Sequence, residues 1–391
     1  MPKHDLPIVI AGAGPAGSTL AIRLSRLGFP VTLIERYKFP RAKLCGEFIS
    51  PECLAHFDEL GVLDEMLASG GDQILETRFY ETRGRSVAVP SRWFHSNEGF
   101  ALSLSRARMD EILLNAARQS GADVREETSV VGLISDDSQA ITGVKIRLTR
   151  GETEEIASTI VVDATGRARV LTRLAEKGAA QKAPKPKFIG LKAHLTGAAV
   201  PKGVCEIYAF RGGYAGLSNV EDGNSNLCLI ARSAMMKERD AHGIFAQLKK
   251  QNARAVETLL TATPAHDWLA VSVPSIGLNA PPQPKGLFTV GDSAAFVDPF
   301  TGSGMLLAMQ SAKLFADTVE ADGLNRDTLA QHYYSAFETH FLPRLSVAGI
   351  IRRVAYEPIL SSLAVGLLSM SEKLSARLAR KTRSAEGQIS R

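Results

Sequence analysis

Residues 6–17, LPIVIAGAGPAG, constrain this chain more than any other stretch. Ile8, Val9 and Ile10 form an apolar, β-branched run of the kind that makes a buried parallel strand. The run enters Gly12-x-Gly14-x-x-Gly17, and an alanine-rich helical pattern follows over residues 18–27. Strand, glycine turn and helix stand in the order that a dinucleotide site needs. Gly12 permits the tight turn, Gly14 lets backbone amides approach a pyrophosphate, and Gly17 lets the helix pack on the strand. The helix start, with Pro15 and Ala16 inside the loop, offers N–H groups and a positive dipole end to phosphates. A second strand, 30–34, ends at Glu35, about where the fingerprint expects a carboxylate for ribose hydroxyls. Arg36 follows it. The alternative, a tight turn with no ligand, leaves that spacing unexplained.

At 391 residues the chain is long enough for two domains or one large discontinuous one. A net charge of +5 comes from scattered basic residues, with no Lys/Arg stripe interleaved with aromatics, so nucleic acid is not expected as a partner. Cys45, Cys53, Cys205 and Cys228 form no CxxC or Cys/His cluster, so neither a zinc site nor a disulfide framework is expected, and reduced thiols fit a cytoplasmic protein. No metal site is expected. The first apolar run is too short for a signal peptide, and no stretch reaches the ~20 apolar residues of a membrane span.

Residues 36–51 break the period with two prolines, a glycine and several charges, and read as a long functional loop. A helix is expected over 52–68, a hairpin over 73–90 with its turn at 83–85, and a helix over 105–120 capped by Ser105 and ended by Gly121. Strands are expected at 123–134, 141–148 and 156–162, the last stopping at Asp163-Ala-Thr-Gly166. Residues 183–187 read as a linker, 188–233 as strands with turns at 211–213 and 221–224, and 241–260 as a helix. A short strand then ends at Gly291-Asp292, and Asp298-Pro299-Phe-Thr-Gly302-Ser303-Gly304 opens a long apolar helix from Met305. A carboxylate at a strand end can bind a polyol, and a glycine turn before a helix offers donors to an anion. Two such sites nearly 280 residues apart suit one long cofactor such as FAD.

These motifs, from residue 6 to about 320, resemble the p-hydroxybenzoate hydroxylase-fold flavoproteins, and within them the branch of geranylgeranyl reductases, flavin-dependent halogenases and related monooxygenases. The resemblance implies an α/β fold, a Rossmann-like FAD-binding domain (1–72, 100–180, 281–325) interrupted by an antiparallel-sheet substrate domain (73–99, 181–280). A helical segment, 326–391, completes the chain. It implies that the first glycine loop and Glu35 hold the ADP half and that Arg106, in Arg-x-x-Met-Asp, reaches the cofactor. Asp163 and Gly166 would lie on a second contact strand. Gly291 and Asp292 would hold the ribitol. Pro299, Gly302, Ser303, Gly304 and Met305 would lie beside the flavin pyrimidine edge, where amides and a helix dipole stabilise the reduced anion. In that sense Gly302 and Gly304 count as catalytic.

Lys43-Leu-Cys45-Gly46-Glu47 resembles the Lys-x-Cys-Gly-Glu segment of the reductase branch, which runs past the flavin. Cys45 then either donates a proton in the cavity or merely packs; Arg41 and Lys43 either contact the cofactor or are solvated. Tyr208, Phe210 and Tyr214 alternate, as one aromatic face over a substrate would, though each is equally at home in a sheet core. His95 and His194 receive no catalytic role. The tryptophan strand motif of the halogenases and reductases is missing at 212–218, GGYAGLS, which counts against halogenation most.

The expected activity is therefore an FAD monooxygenase hydroxylating or epoxidising an apolar or aromatic small molecule through a flavin hydroperoxide. A C=C reductase of a prenyl or lipid substrate is the alternative; a halogenase and a flavin-binding accessory protein without turnover rank below. No second glycine-rich nucleotide domain is visible, so electrons are expected from NAD(P)H directly or through a flavin reductase partner. The 356–370 stretch is strongly apolar and basic residues follow, so the tail either covers the substrate domain or makes weak contact with a membrane surface.

Overall fold

The computed structural model describes residues 6–94, 98–176, 187–237, 240–273 and 276–381. The linker expected at 183–187 falls almost wholly outside them, as does His95.

Five parallel strands form the first sheet, in the order Leu287–Thr289, Val161–Asp163, Ile8–Ala11, Val31–Ile34, Asp123–Arg125. The four strands other than the edge strand Asp123–Arg125 are buried on both faces, which is why they are mostly apolar, whereas Asp123–Arg125 is polar and part-exposed. Ile8 and Ile10 point to a core shared with helices Pro15–Arg26, Arg106–Gln119 and Gly304–Asp322. Val9 and Ala11 point instead to an antiparallel meander of Ser129–Ser135, Ile141–Arg147 and Thr153–Ala157. Ser105 caps its helix as expected, accepting from the Arg108 N–H at 3.3 Å.

A second sheet of eight strands contains Phe188–Thr196, Val204–Phe210, Gly213–Asn219 and Ser225–Arg232, together with the hairpin Glu76–Tyr80 and Ser86–Pro90. The hairpin joins by a parallel pairing of Glu76–Tyr80 with Val204–Tyr208, and the other pairings within the sheet are antiparallel. One face packs on helices Ala241–Gln251 and Ala253–Thr258. Residues of the other face, among them Phe79, Val87, Val89 and Ile207, line a cavity. Helices Arg326–Ala355, Pro358–Ser369 and Glu372–Lys381 complete the chain. Among the described residues no helix is long and apolar enough to cross a membrane.

Four expected elements are divided, one of them the 123–134 strand, which splits into Asp123–Arg125 of the parallel sheet and Ser129–Ser135 of the meander. The 52–68 helix breaks into Pro51–Glu59 and Leu63–Ala68 at Gly61, whose φ is +72°. The 241–260 helix restarts at Asn252, an extended residue whose side chain accepts from the Ala255 N–H. The apolar run 156–162 serves two sheets: Ile156 pairs in the meander and Val161 in the parallel sheet. Between them the Ser158 and Thr159 amides donate to Thr142 and Pro7 carbonyls. Periodicity cannot see such a hand-over, because both halves are apolar.

Candidate cofactor and substrate site

The first glycine loop is shaped by close approach. A Cβ on Gly12, at φ +102°, would lie 2.5 Å from the Ala164 carbonyl oxygen; one on Gly17 would lie 1.9 Å from that of Gly12. Gly14 differs, because a Cβ there would meet only Lys43 Nζ at 3.6 Å and Arg106 at 3.8 Å. Helix Pro15–Arg26 therefore opens onto free space beside two cations, and no side chain caps it.

The distant glycine-and-acid turn arrives at the same place. A Cβ on Gly291 would come within 2.8 Å of Ala16 Cβ, and its N–H donates to Ser311 Oγ at 2.9 Å. Helix Gly304–Asp322 likewise starts without a side-chain cap. Gly302 sits in the left-handed region at φ +61° against the Phe48 ring, where a Cβ would clash. One cavity of about 1000 Å³ runs past both helix starts. Gly14, Pro15, Ala16, Arg36, Lys43, Arg106, Gly166, Asp292, Pro299, Gly302, Gly304 and Met305 line it. Asp292 accepts no hydrogen bond on its carboxylate among the described residues; burial pushes its pKa up, opposed by Arg167, Lys43 and Arg106.

Cys45 lines the cavity as well, close to Arg106, and its sulfur accepts from the Glu47 N–H at 3.4 Å. Burial disfavours the Arg106 charge, but the bidentate Asp110 carboxylate, at 2.8 and 2.7 Å, and Cys45 more than restore it, so the guanidinium stays ionised. Lys43 has no hydrogen-bonded carboxylate among the described residues: burial first, then Arg106, lowers its pKa to about 8, against the opposing pull of Asp110 and Asp292.

Several expected site residues do other work. The Asp163 carboxylate is fully engaged, by Thr165 N–H and hydroxyl, Thr172 N–H and hydroxyl, and Ser293 hydroxyl, so it clamps strand to helix and does not face the cavity. Glu35 is off the cavity wall and accepts from the Ala13 and Tyr37 amides at 3.0 and 3.1 Å, bracing the glycine loop. Arg41 stacks on Tyr37 and Phe39 and lies 3.7 Å from Glu35; of the two basic candidates Lys43 alone lines the cavity. The Ser303 hydroxyl turns to Thr301 at 2.8 Å.

Tyr208 and Phe210 face away from the cavity. Both are fully buried against the helices behind the second sheet, and the Tyr208 hydroxyl donates to buried Glu206 at 2.5 Å. Tyr214 lies on the next strand and does line the cavity. It donates to Asp298 at 3.2 Å, and burial, reinforced by that carboxylate, keeps the phenol protonated. The apolar wall comes instead from alternating partners that sequence reasoning passed over: Thr77 and Phe79, Val87 and Val89, Cys205, Ile207 and Ala209. It is closed by Val354, Val365 and Leu368 of the last helices.

Glu47 and His194 form a further unforeseen group. Glu47 is 1% exposed and adopts φ +53°. Its carboxylate takes the Arg106 N–H at 2.9 Å, ion-pairs with Lys192 and meets His194 Nε2 at 2.7 Å. Gly190, Lys192 and His194 share a strand face at period two, and this face anchors the Lys43–Glu47 loop to the second sheet.

Residues 5–319 match the FAD binding domain family. The chain belongs to that family. It is 26% identical over 347 residues to a tryptophan 2-halogenase of Chondromyces crocatus, covering 86% of this chain and 65% of that relative's length. It is 28% identical over 327 residues to a digeranylgeranylglycerophospholipid reductase of Methanosarcina acetivorans, covering 80% and 74%. Among solved structures, PqsL of Pseudomonas aeruginosa, a probable FAD-dependent monooxygenase, superposes with a TM-score of 0.71 at 18% identity, over 91% of this chain and 98% of that one. The scaffold is thus an FAD-dependent oxidoreductase fold that carries several different reactions.

The residues here fit FAD: two uncapped helix starts, two cations and an unengaged carboxylate line one elongated cavity. Gly14–Ala16 with Lys43 and Arg106 would hold the pyrophosphate, Asp292 the ribitol, and Gly302–Met305 the flavin edge. Because Lys43 carries its charge only below about pH 8, FAD affinity of the apoprotein should weaken as pH rises from 7 to 9. Lys43→Met should bind more weakly at pH 7 and lose that dependence. Flavin fluorescence titration across the range checks it; a wild-type affinity flat with pH refutes it.

Proposed function

We propose that this chain is an FAD-dependent monooxygenase that hydroxylates or epoxidises an elongated apolar or aromatic molecule. The observation that carries this is the cavity itself, which continues from the glycine turns into a chamber walled by Phe79, Val87, Val89, Ile207, Val273 and Leu368. Bound flavin supplies electrons to dioxygen and so the oxygen atom for transfer. The chain's own task is then to exclude water, hold an apolar substrate and fix its orientation. The apolar wall does the first two, and Tyr214 and Cys45 supply polar atoms for the third. One oxygen atom enters the product, the other leaves as water, and two electrons come from NAD(P)H, directly or through a flavin reductase.

A second reading is reduction of a C=C bond, favoured by the Cys45 thiol on the cavity wall, with Arg106 lining the same cavity. There Cys45 would give the proton that accompanies hydride addition. Alkylphenols of graded chain length and a polyprenyl alcohol, offered to dithionite-reduced FAD-loaded protein, separate the two. Oxygenation requires no product under anaerobiosis and one atom of label from ¹⁸O₂ per turnover, with Cys45→Ala altering the rate by less than about tenfold, since no proton-transfer step rests on it. Anaerobic saturation of a double bond, lost in Cys45→Ala, overturns oxygenation in favour of reduction.

A further inference from the structure

Helix Pro358–Ser369 is apolar on both sides. Ser361, Ala364, Val365 and Leu368 face inward and roof the cavity. On the outer side Ile359 is 77% exposed, Leu363 60%, Leu367 62% and Met370 just beyond 83%. Half of the large hydrophobic side chains exposed among the described residues fall between Ile350 and Leu378. A helix with no polar face is normally covered on every side. The next helix, Glu372–Lys381, continues the surface with Leu374 exposed beside Lys373, Arg377 and Arg380, and Glu372 is its one acid. Arg380 also donates to the Trp93 carbonyl at 3.3 Å, which pins this helix over the hairpin edge of the second sheet.

We infer that this outer face docks on an anionic lipid bilayer, lying in its plane. Twelve helical residues span about 18 Å, too short to cross a hydrocarbon core of about 30 Å but suited to sinking one apolar face into it. The basic residues beside the apolar stripe match anionic headgroups and set the sign of lipid preferred. The helices that meet the lipid are those that close the cavity, so an apolar substrate passes from the bilayer between them without crossing water. This entry route rests on the apolar-substrate reading; the docking face does not.

Flotation of FAD-loaded protein with vesicles of phosphatidylcholine, with and without 30% phosphatidylglycerol, tests the docking without any turnover. Wild type should float with the anionic vesicles. Leu363→Glu/Leu367→Glu should cut the bound fraction at least about tenfold, and Lys373→Glu/Arg377→Glu should abolish the preference for phosphatidylglycerol, both keeping their flavin absorbance. Wild type remaining at the bottom of the gradient overturns the inference. So does a concentration-dependent dimer in sedimentation velocity that Leu363→Glu/Leu367→Glu dissolves, since a second copy would then cover the face.

Discussion

Replacing Glu47 by alanine should destabilise the fold by about 3–5 kcal/mol, the usual cost of leaving a buried charge without its partner. Lys192 is 2% exposed, and without Glu47 the Lys43 carbonyl, at 3.2 Å, would be its one remaining hydrogen-bond partner among the described residues. The double variant Glu47→Ala/Lys192→Met should recover much of the loss, because removing both charges removes the desolvation penalty. Urea unfolding at pH 7 measures this; an unchanged midpoint in Glu47→Ala contradicts it. The sign with pH follows from the same contacts. Burial raises the Glu47 pKa, but the His194 hydrogen bond and Lys192 outweigh it and hold the carboxyl below its ordinary value. That stabilisation is complete above the unfolded Glu value of about 4.3 and is lost as pH falls toward the folded one. The acid limb of the stability profile should therefore flatten in the double variant.

Gly17→Ala should weaken FAD binding and destabilise the fold together. The new Cβ would fall 1.9 Å from the Gly12 carbonyl oxygen, so strand and helix must part or the loop must refold. Overpacking of this kind costs about 1–3 kcal/mol, which taken from binding lowers FAD affinity about 5- to 150-fold. Gly14→Ala separates shape from contact. No atom lies within 3.6 Å of the added carbon, so the fold should melt normally while the methyl occupies space meant for phosphates. Thermal unfolding paired with FAD titration distinguishes them: Gly17→Ala should lose on both, Gly14→Ala on binding alone. Wild-type FAD affinity in Gly14→Ala would detach that loop from the cofactor.

The sequence by itself determined the elements whose cause is local. Gly12 and Gly17 mark a turn that only glycine permits, Gly14 an open approach beside it, Ser105 and Gly121 bracket a helix, and Gly291-Asp292 closes a strand. Steric exclusion and capping act over a few residues, so a few residues record them. Tertiary structure alone decided the rest. Tyr208, buried, and Ile207, half-buried, are both apolar-bodied and lie on one strand covered on both faces, where residue type carries no signal of which face is which. Which of them meets the cavity was settled on the far side of the strand, where Glu206, two residues from Tyr208, accepts its hydroxyl and is itself held by the distant Arg254 and Thr258. Asp163 and Asp292 look alike at strand ends, yet five donors consume one carboxylate and none the other. Glu47 is buried among Lys192 and His194, about 145 residues away. Such roles depend on which long-range neighbours fill each face, and a chain's local pattern does not encode the chemistry of a neighbour that far along it.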